Sequence, residues 1–103
     1  MSKDDIVWSP ANPSEYKIGN ATVSTSSTLV IPANKKSKHR TFTNISANLV
    51  FLSPGVPAEM NKGFPLYPNG GVYECSAQEG NNIHVAMYGI SSGASVIAWA
   101  EGE

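Results

Sequence analysis

The stretch RTFTNISANLVFLSPGVPAEMNKGFPLYPNGGVY, residues 40–73, combines the densest alternation of apolar and polar residues in the chain with its clearest turn signals. Phe42 alternates with Thr41 and Thr43, and residues 49–52 follow with two further alternating apolar pairs. A period of two is what a pleated strand requires, because successive side chains point to opposite faces. The stretch therefore predicts two consecutive strands, and not a helix.

The turn signals divide this stretch into strands. Ser-Ala-Asn at 46–48 has the length of a hairpin connection. Ser-Pro-Gly at 53–55 ends the second strand, since proline donates no ladder hydrogen bond and glycine adopts backbone angles that other residues avoid. Pro-Asn-Gly-Gly at 68–71 precedes the next strand in the same way. The arrangement predicts a β-meander.

The rest of the chain extends this pattern into one domain. At 103 residues the chain is long enough for a single core, and helix formers are scarce beside Ser, Thr, Asn, Gly, Pro, Val and Ile. We expect a compact antiparallel β-sandwich with jelly-roll-like architecture over residues 21–103, or else a small barrel. The further predicted strands lie at 21–31, 64–67 (a short edge strand), 72–76, 83–90 and 94–100, the last two as hairpin partners.

Residues 1–20 differ in character from the sandwich. Pro10 and Pro13 favour an extended backbone, so the segment is predicted to be an N-terminal arm. It is either a disordered leader or an arm that docks on a neighbouring subunit or partner through Trp8 and Tyr16, since aromatic residues are favoured interface anchors. The segment has no apolar run of signal-peptide length, and no later segment has the length of a membrane span. We therefore expect neither secretion by the usual signal nor membrane insertion.

A basic cluster follows the second predicted strand. The sequence KKSKHR at 35–40 concentrates four of the seven basic side chains: Lys35, Lys36, Lys38 and Arg40. It is either a solvated loop or a contact for an acidic partner surface or a phosphate backbone. The formal charge of −1 and pI near 6.1 disfavour nucleic acid as a partner, as does the lack of nearby aromatic residues for stacking.

No catalytic or metal site is predicted. His39 and His84 are far apart in sequence and have no adjacent carboxylate, and the single Cys75 is expected to be a buried structural thiol. We therefore predict no enzyme activity and no cofactor. The hydroxyl and amide side chains, together with the tyrosines and Trp99, leave a carbohydrate-binding face open as an alternative.

Four segments of the chain carry a resemblance to a known class of proteins. They are STLVIPAN at 27–34, Arg40 followed by FTNISANLVFLSPG at 42–55, GFPLYPNGGVYE at 63–74, and a last pair of strands ending in VIAWA at 96–100. In this order they resemble small β-sandwich virion proteins of tailed bacteriophages, over about three-quarters of the chain. The Lys35 to His39 insertion and the arm with Trp8 depart from that pattern.

The resemblance implies a virion structural role. The expected function is capsid decoration, in which the protein binds and stabilises the head shell; a carbohydrate-binding module of a tail or fibre is the alternative. The implied partner is the major capsid protein, with a homo-oligomer, for which a trimer at a local three-fold position is one arrangement. The implied location is the virion, assembled in the host cytoplasm. The expected partner-binding residues are Trp8, Tyr16, Lys35, Lys36, Lys38 and Arg40.

Overall fold

The computed structural model describes residues 15–76 and 83–103, which form an all-β sandwich. The eight strands formed by these described residues lie in two four-stranded antiparallel sheets. Sheet A has the order β1-β8-β3-β6 and sheet B the order β2-β7-β4-β5. The strands are β1 Tyr16–Val23, β2 Thr28–Ile31, β3 His39–Asn44, β4 Val50–Pro54, β5 Phe64–Leu66, β6 Gly71–Ser76, β7 Met87–Ser91 and β8 Ser95–Gly102.

The two strand orders are those of an eight-stranded jelly roll, in which the chain passes repeatedly from one sheet to the other. The predicted all-β sandwich with jelly-roll architecture is confirmed. The predicted short edge strand is also confirmed, because β5 lies at the edge of sheet B and pairs only with β4.

The predicted meander and both predicted hairpins are wrong. β3 and β4 lie in different sheets, and so do β7 and β8. The connections at 45–49 and 92–94 cross between the layers instead of joining neighbouring strands. Connection length does not distinguish these cases: stacked sheets lie about 10 Å apart, and three residues already span about 10 Å.

The N-terminal boundary of the sandwich also differs from the prediction. Residues 16–20, assigned to the arm, form the first part of β1 and pair along their whole length with β8. The predicted strand at 21–31 is two strands in different sheets, separated by the turn at 24–27. The predicted strand at 83–90 corresponds to β7, which begins only at Met87. The rest of the predicted arm, residues 1–14, lies outside the described residues.

The core lies between the sheets and is filled from both. On β3 the inward side chains are Arg40, Phe42 and Asn44, and the outward ones are Thr41 and Thr43. Each of the seven remaining strands also contributes to the buried apolar cluster, as does the segment before β7. These residues are Val23, Val30, Ile31, Val50, Leu52, Leu66, Cys75, Met87 and Ile97, together with Ile83. Cys75 is buried as predicted.

The outer faces of the two sheets differ in how they are covered. The loop at 55–63 folds over the outer face of sheet B, where Ala58 packs against Phe51 and Ile90. The backbone N–H of Ala58 donates to the Ser27 hydroxyl at 2.8 Å, which holds the loop in place. The outer face of sheet A carries exposed large apolar side chains on its two edge strands: Tyr16 and Ile18 on β1, and Val72 on β6. These side chains are accessible to a partner.

Candidate partner-binding surface

Arg40 is a core residue and not a surface contact. Its side chain is 0% exposed, and its Nε donates to Glu101 Oε2 at 3.0 Å and to the Ser37 hydroxyl at 3.1 Å. The predicted role of Arg40 as a direct partner contact is therefore corrected. The sequence contained the signal, since Arg40 lies two residues before Phe42 on the inward side of the same alternation.

The guanidinium of Arg40 holds two loops against the end of sheet A. One terminal nitrogen donates to the Val85 carbonyl oxygen, and Nη2 donates to the Pro32 carbonyl oxygen at 3.1 Å. These bonds reach the segment before β3 and the segment before β7. The arginine therefore supports the base of the loop that carries the remaining basic side chains.

The basic loop is an ordered turn with its lysines outward. Asn34 organises it: its backbone N–H donates to the His84 carbonyl at 3.0 Å, and its side-chain oxygen accepts from the Lys36 N–H at 3.0 Å. The Lys38 N–H donates to the Gly102 carbonyl at 2.7 Å. Lys35 and Lys36 are exposed, whereas Lys38 is half-buried. Neither Lys35 nor Lys36 has an ion-pair partner within the described parts of the chain.

Tyr16 lies at the same end of the molecule, at the start of β1. Its hydroxyl lies 3.0 Å from His39 Nδ1, and His39 Nε2 lies 2.8 Å from Glu74 Oε2. The three side chains form a hydrogen-bonded row across the outer face of sheet A. Tyr16 is 52% exposed, so a partner has access to its ring.

The chain enters the sandwich beside the basic loop. Glu15 and Glu103 exchange two backbone hydrogen bonds, at 2.9 and 3.4 Å, and Gly102 accepts from Lys38. The point at which residues 1–14 join the sandwich therefore lies next to the basic loop. We call the surface formed by Tyr16, Lys35, Lys36 and Lys38 the arm end. Trp8, the remaining predicted contact, lies outside the described residues.

Three acidic residues border the arm end: Glu15, Glu74 and Glu103. Glu103 is the one whose carboxylate contacts Asn34 of the basic loop. Its Oε2 accepts from the Asn34 amide at 2.7 Å and from Lys17 Nζ at 3.3 Å. The Asn34 hydrogen bond, followed by that from Lys17, lowers the pKa of the Glu103 carboxyl below its ordinary value of 4.5. The carboxylate is thus directed toward Asn34 and Lys17, while Lys35 and Lys36 extend into solvent.

A groove crosses the outer face of sheet A. It has a volume of about 540 Å³ and is lined by Ile18, Gly19, Asn20, Thr41, Thr43, Ala98, Trp99 and Ala100. The side chains of Asn20, Thr41 and Thr43 have no hydrogen-bond partner among the described residues. The groove therefore offers free hydroxyl and amide groups beside aliphatic ones.

The chemistry of this surface is limited by the absence of a metal cluster among the residues that the structure describes and by the core packing of most nearby aromatic rings. No group of three or more His, Cys, Asp or Glu side chains there is arranged to hold a metal ion. Tyr73 and Trp99, considered above for a sugar-binding face, pack against the core. Phe64 stacks on Tyr73 with ring centroids 4.7 Å apart. These rings therefore seal one side of the sandwich.

Comparisons with known proteins add no relative: no family model, no curated protein and no solved structure matches this chain. In residues 15–76 and 83–103 there is no helix long and apolar enough to cross a membrane. The functional argument therefore depends on the chain's own residues and geometry.

Proposed function

We propose that this protein is a structural component of a tailed-phage virion, a capsid decoration protein that binds the head shell through its arm end. One observation carries the proposal: the attachment point of the N-terminal segment, Tyr16 and the exposed lysines all lie at one end of a rigid jelly roll. Contacts that are separate in sequence thus form one continuous surface. The resemblance to small virion β-sandwiches supports the same role.

The proposed mechanism separates the rigid body from its contacts. The buried pair of Arg40 and Glu101 fixes the base of the basic loop, so Lys35 and Lys36 are presented with little loss of backbone freedom on binding. Their ammonium groups meet acidic patches of the major capsid protein, and the N-terminal segment adds an apolar contact through Trp8. Many copies on one shell turn a modest single contact into stable decoration by avidity.

The remaining parts of the proposal follow from this role. The protein is not an enzyme, its location is the virion after assembly in the host cytoplasm, and it associates with further copies of itself. A trimer at a local three-fold position of the shell is one such arrangement. A net charge of −1 supports a protein partner over nucleic acid, since the positive charge is confined to one loop.

A carbohydrate-binding module of a tail or fibre is the second candidate. The groove on sheet A favours it, because Asn20, Thr41 and Thr43 offer unpaired amide and hydroxyl groups of the kind that bind sugar hydroxyls. The packing of Tyr73 and Trp99 against the core weighs against it, although Trp99 also lines part of the groove. Capsid decoration is therefore the better supported function.

Charge reversal tests the decoration role. The double substitution Lys35→Glu and Lys36→Glu is expected to abolish co-sedimentation with phage shells that lack the protein, and binding of the unaltered protein should weaken as salt is raised. Lys62→Glu is the matched control, since Lys62 is an exposed lysine of the 55–63 loop that covers sheet B. Equal binding by the double variant and the control would overturn the role assigned to the basic loop.

Substitution in the groove separates the two candidate functions. Replacing Thr41 and Thr43 with valine removes two hydroxyls from the groove without adding charge. Shell binding should be unchanged if the arm end is the contact. Two results together would establish the carbohydrate alternative instead. The unaltered protein would bind a glycan array but no shell, and the valine variant would lose the glycan binding.

A further inference from the structure

The outer face of sheet A has a trough between two ridges, and the strand register defines it. One row across the sheet runs Ile18, Ala100, Thr41, Glu74, and the next runs Asn20, Ala98, Thr43, Val72. In both rows the two central strands carry small side chains. The trough therefore follows β8 and β3, with β1 and β6 as its walls.

The wall on β1 carries the most exposed large apolar side chain described. Ile18 is 81% exposed and stands directly beside the groove. A protruding aliphatic side chain and a recess whose apolar lining includes Ala98, Trp99 and Ala100 thus lie on the same face. A surface that carries both parts of a contact is complementary to another copy of itself.

Charge on this face permits two copies to meet. Among its outward residues Glu74 is the only carboxylate, and its Oε2 lies 2.8 Å from His39 Nε2 at one corner. The groove in the trough is lined by aliphatic, hydroxyl and amide groups together with Trp99, and none of these lining residues is charged. Depletion of charge is the compositional feature of interface centres, and here it removes like-charge repulsion between copies.

We propose that this face binds a second copy of the chain, with Ile18 of one copy inserted into the groove of the other. The inference rests on the self-association included in the proposed function and names the face that carries it. It is tested on the isolated protein, so its failure would leave shell binding through the arm end untouched. It assigns self-association to sheet A and leaves the arm end, with Lys35 and Lys36, for the capsid.

The size of the face sets the expected strength. Four strands about 4.8 Å apart, each contributing about six residues at about 3.3 Å, give a projected face of roughly 400 Å². Two such faces remove roughly 800 Å² or somewhat more, which is below the about 1,600 Å² of a standard interface. Interfaces of this size belong to weak, transient complexes, so the dissociation constant is to be sought in the range of roughly 1–100 µM.

Sedimentation equilibrium of the full chain, over a concentration range that brackets this constant, tests the proposal. The unaltered protein should associate reversibly, and Ile18→Asp should weaken association at least about tenfold. Val56→Asp is the matched control, because Val56 is an exposed valine (59%) on the loop beside sheet B. A protein that stays monomeric over this range, or an oligomer that Ile18→Asp leaves intact, would overturn the proposal.

Disulfide trapping gives a second readout that does not depend on equilibrium strength. One chain carries Ile18→Cys and the other Ala100→Cys, and the two are mixed and oxidised. The native Cys75 is fully buried and does not compete. The mixed disulfide should form in preference to that between Val56→Cys and Ala100→Cys chains. Equal yields in both mixtures would show that Ile18 does not occupy the groove of a second copy.

Discussion

The two sides of β3 differ in chemistry and in what they do. Its inward side carries Arg40, Phe42 and Asn44, all completely buried, and each of the two polar side chains has several hydrogen-bond partners. Its outward side carries Thr41 and Thr43, half-buried and lining an open groove. Alternate residues of one strand thus either belong to the buried core or line an accessible groove.

This difference shows that polarity alone does not place a residue on the surface. Arg40 is as polar as any lysine of the basic loop, yet it is buried because Glu101, Ser37 and two carbonyl oxygens satisfy its guanidinium. Burial of a charge is tolerated only with such pairing. Substitutions on the inward side should therefore lower the unfolding free energy, whereas substitutions on the outward side should leave it nearly unchanged.

Removing the charge of Glu101 should have the largest effect. Glu101→Gln preserves the shape but leaves the Arg40 charge buried without a counter-ion, which costs about 3–5 kcal/mol of unfolding free energy. Urea unfolding measures the loss. Glu74→Gln is the control, because the Glu74 carboxylate is exposed beside His39, and it should cost less than about 1 kcal/mol. Similar losses of unfolding free energy in the two variants would contradict the stabilising role of the buried ion pair between Arg40 and Glu101.

Asn44 is the neutral counterpart at the other end of the strand. Its Nδ2 donates to the carbonyls of Asn48 at 2.7 Å and Leu66 at 2.8 Å, and its Oδ1 accepts from Ser46. Asn44→Ala leaves these groups without their partner and should cost about 2–3 kcal/mol. Thr43→Ala, on the outward side, should change the unfolding free energy by less than about 0.5 kcal/mol. A larger loss in the threonine variant would contradict the assignment of sides.

Gly19 extends the comparison to β1. A Cβ at Gly19 would lie 2.6 Å from Trp99 Cζ2 and 3.0 Å from Cε2, so Gly19→Ala forces the indole to move. Overpacking of this kind costs about 1–3 kcal/mol, and Trp99 fluorescence should shift with it. Asn20→Ala, at the next position and on the outer face, should leave both the unfolding free energy and the fluorescence of Trp99 unchanged. An unaltered melting curve for Gly19→Ala would show that the backbone at position 19 is not tightly packed against Trp99.

The smallest effect concerns the ion pair between the exposed Lys17 and the half-buried Glu103. The Asn34 hydrogen bond and Lys17 hold the pKa of Glu103 below 4.5, so its contribution to stability is complete above pH 4.5 and is lost as pH falls through the folded-state pKa. Asn34→Ala should raise the pKa of Glu103 toward 4.5 and flatten this part of the acid-unfolding curve. Carboxyl chemical shifts followed by NMR measure the change, and an unchanged titration would refute the assigned cause.

Much of the fold could be predicted from the sequence, because alternation and turn residues are local signals. The strands around Phe42, Leu52 and Val72 occur where the alternation placed them. Which strands pair could not be predicted, because crossing between layers and turning within a sheet need connections of similar length. The hydrogen bonds of Asn44 could not be predicted either, because one of its acceptors, the Leu66 carbonyl, lies in the opposite sheet.

The candidate site was only partly predictable. The basic run pointed to Lys35, Lys36 and Lys38 as surface residues. Alternation counted backward from Phe42 places Arg40 on the inward side of β3, which would have distinguished it from these lysines. Tyr16 is a strand residue because β8 pairs with it, a long-range contact without a local signal. The groove depends on small residues of strands distant in sequence, such as Thr41 and Ala100, so no single stretch could indicate it.

Cryo-electron microscopy of the full protein mixed with tailed-phage shells that lack it tests the decoration role most directly. The account predicts density at regular shell positions, with the jelly roll oriented so that Tyr16 and the basic loop face the shell. Absence of bound protein even at low salt, or density with the arm end directed away from the shell, would contradict it.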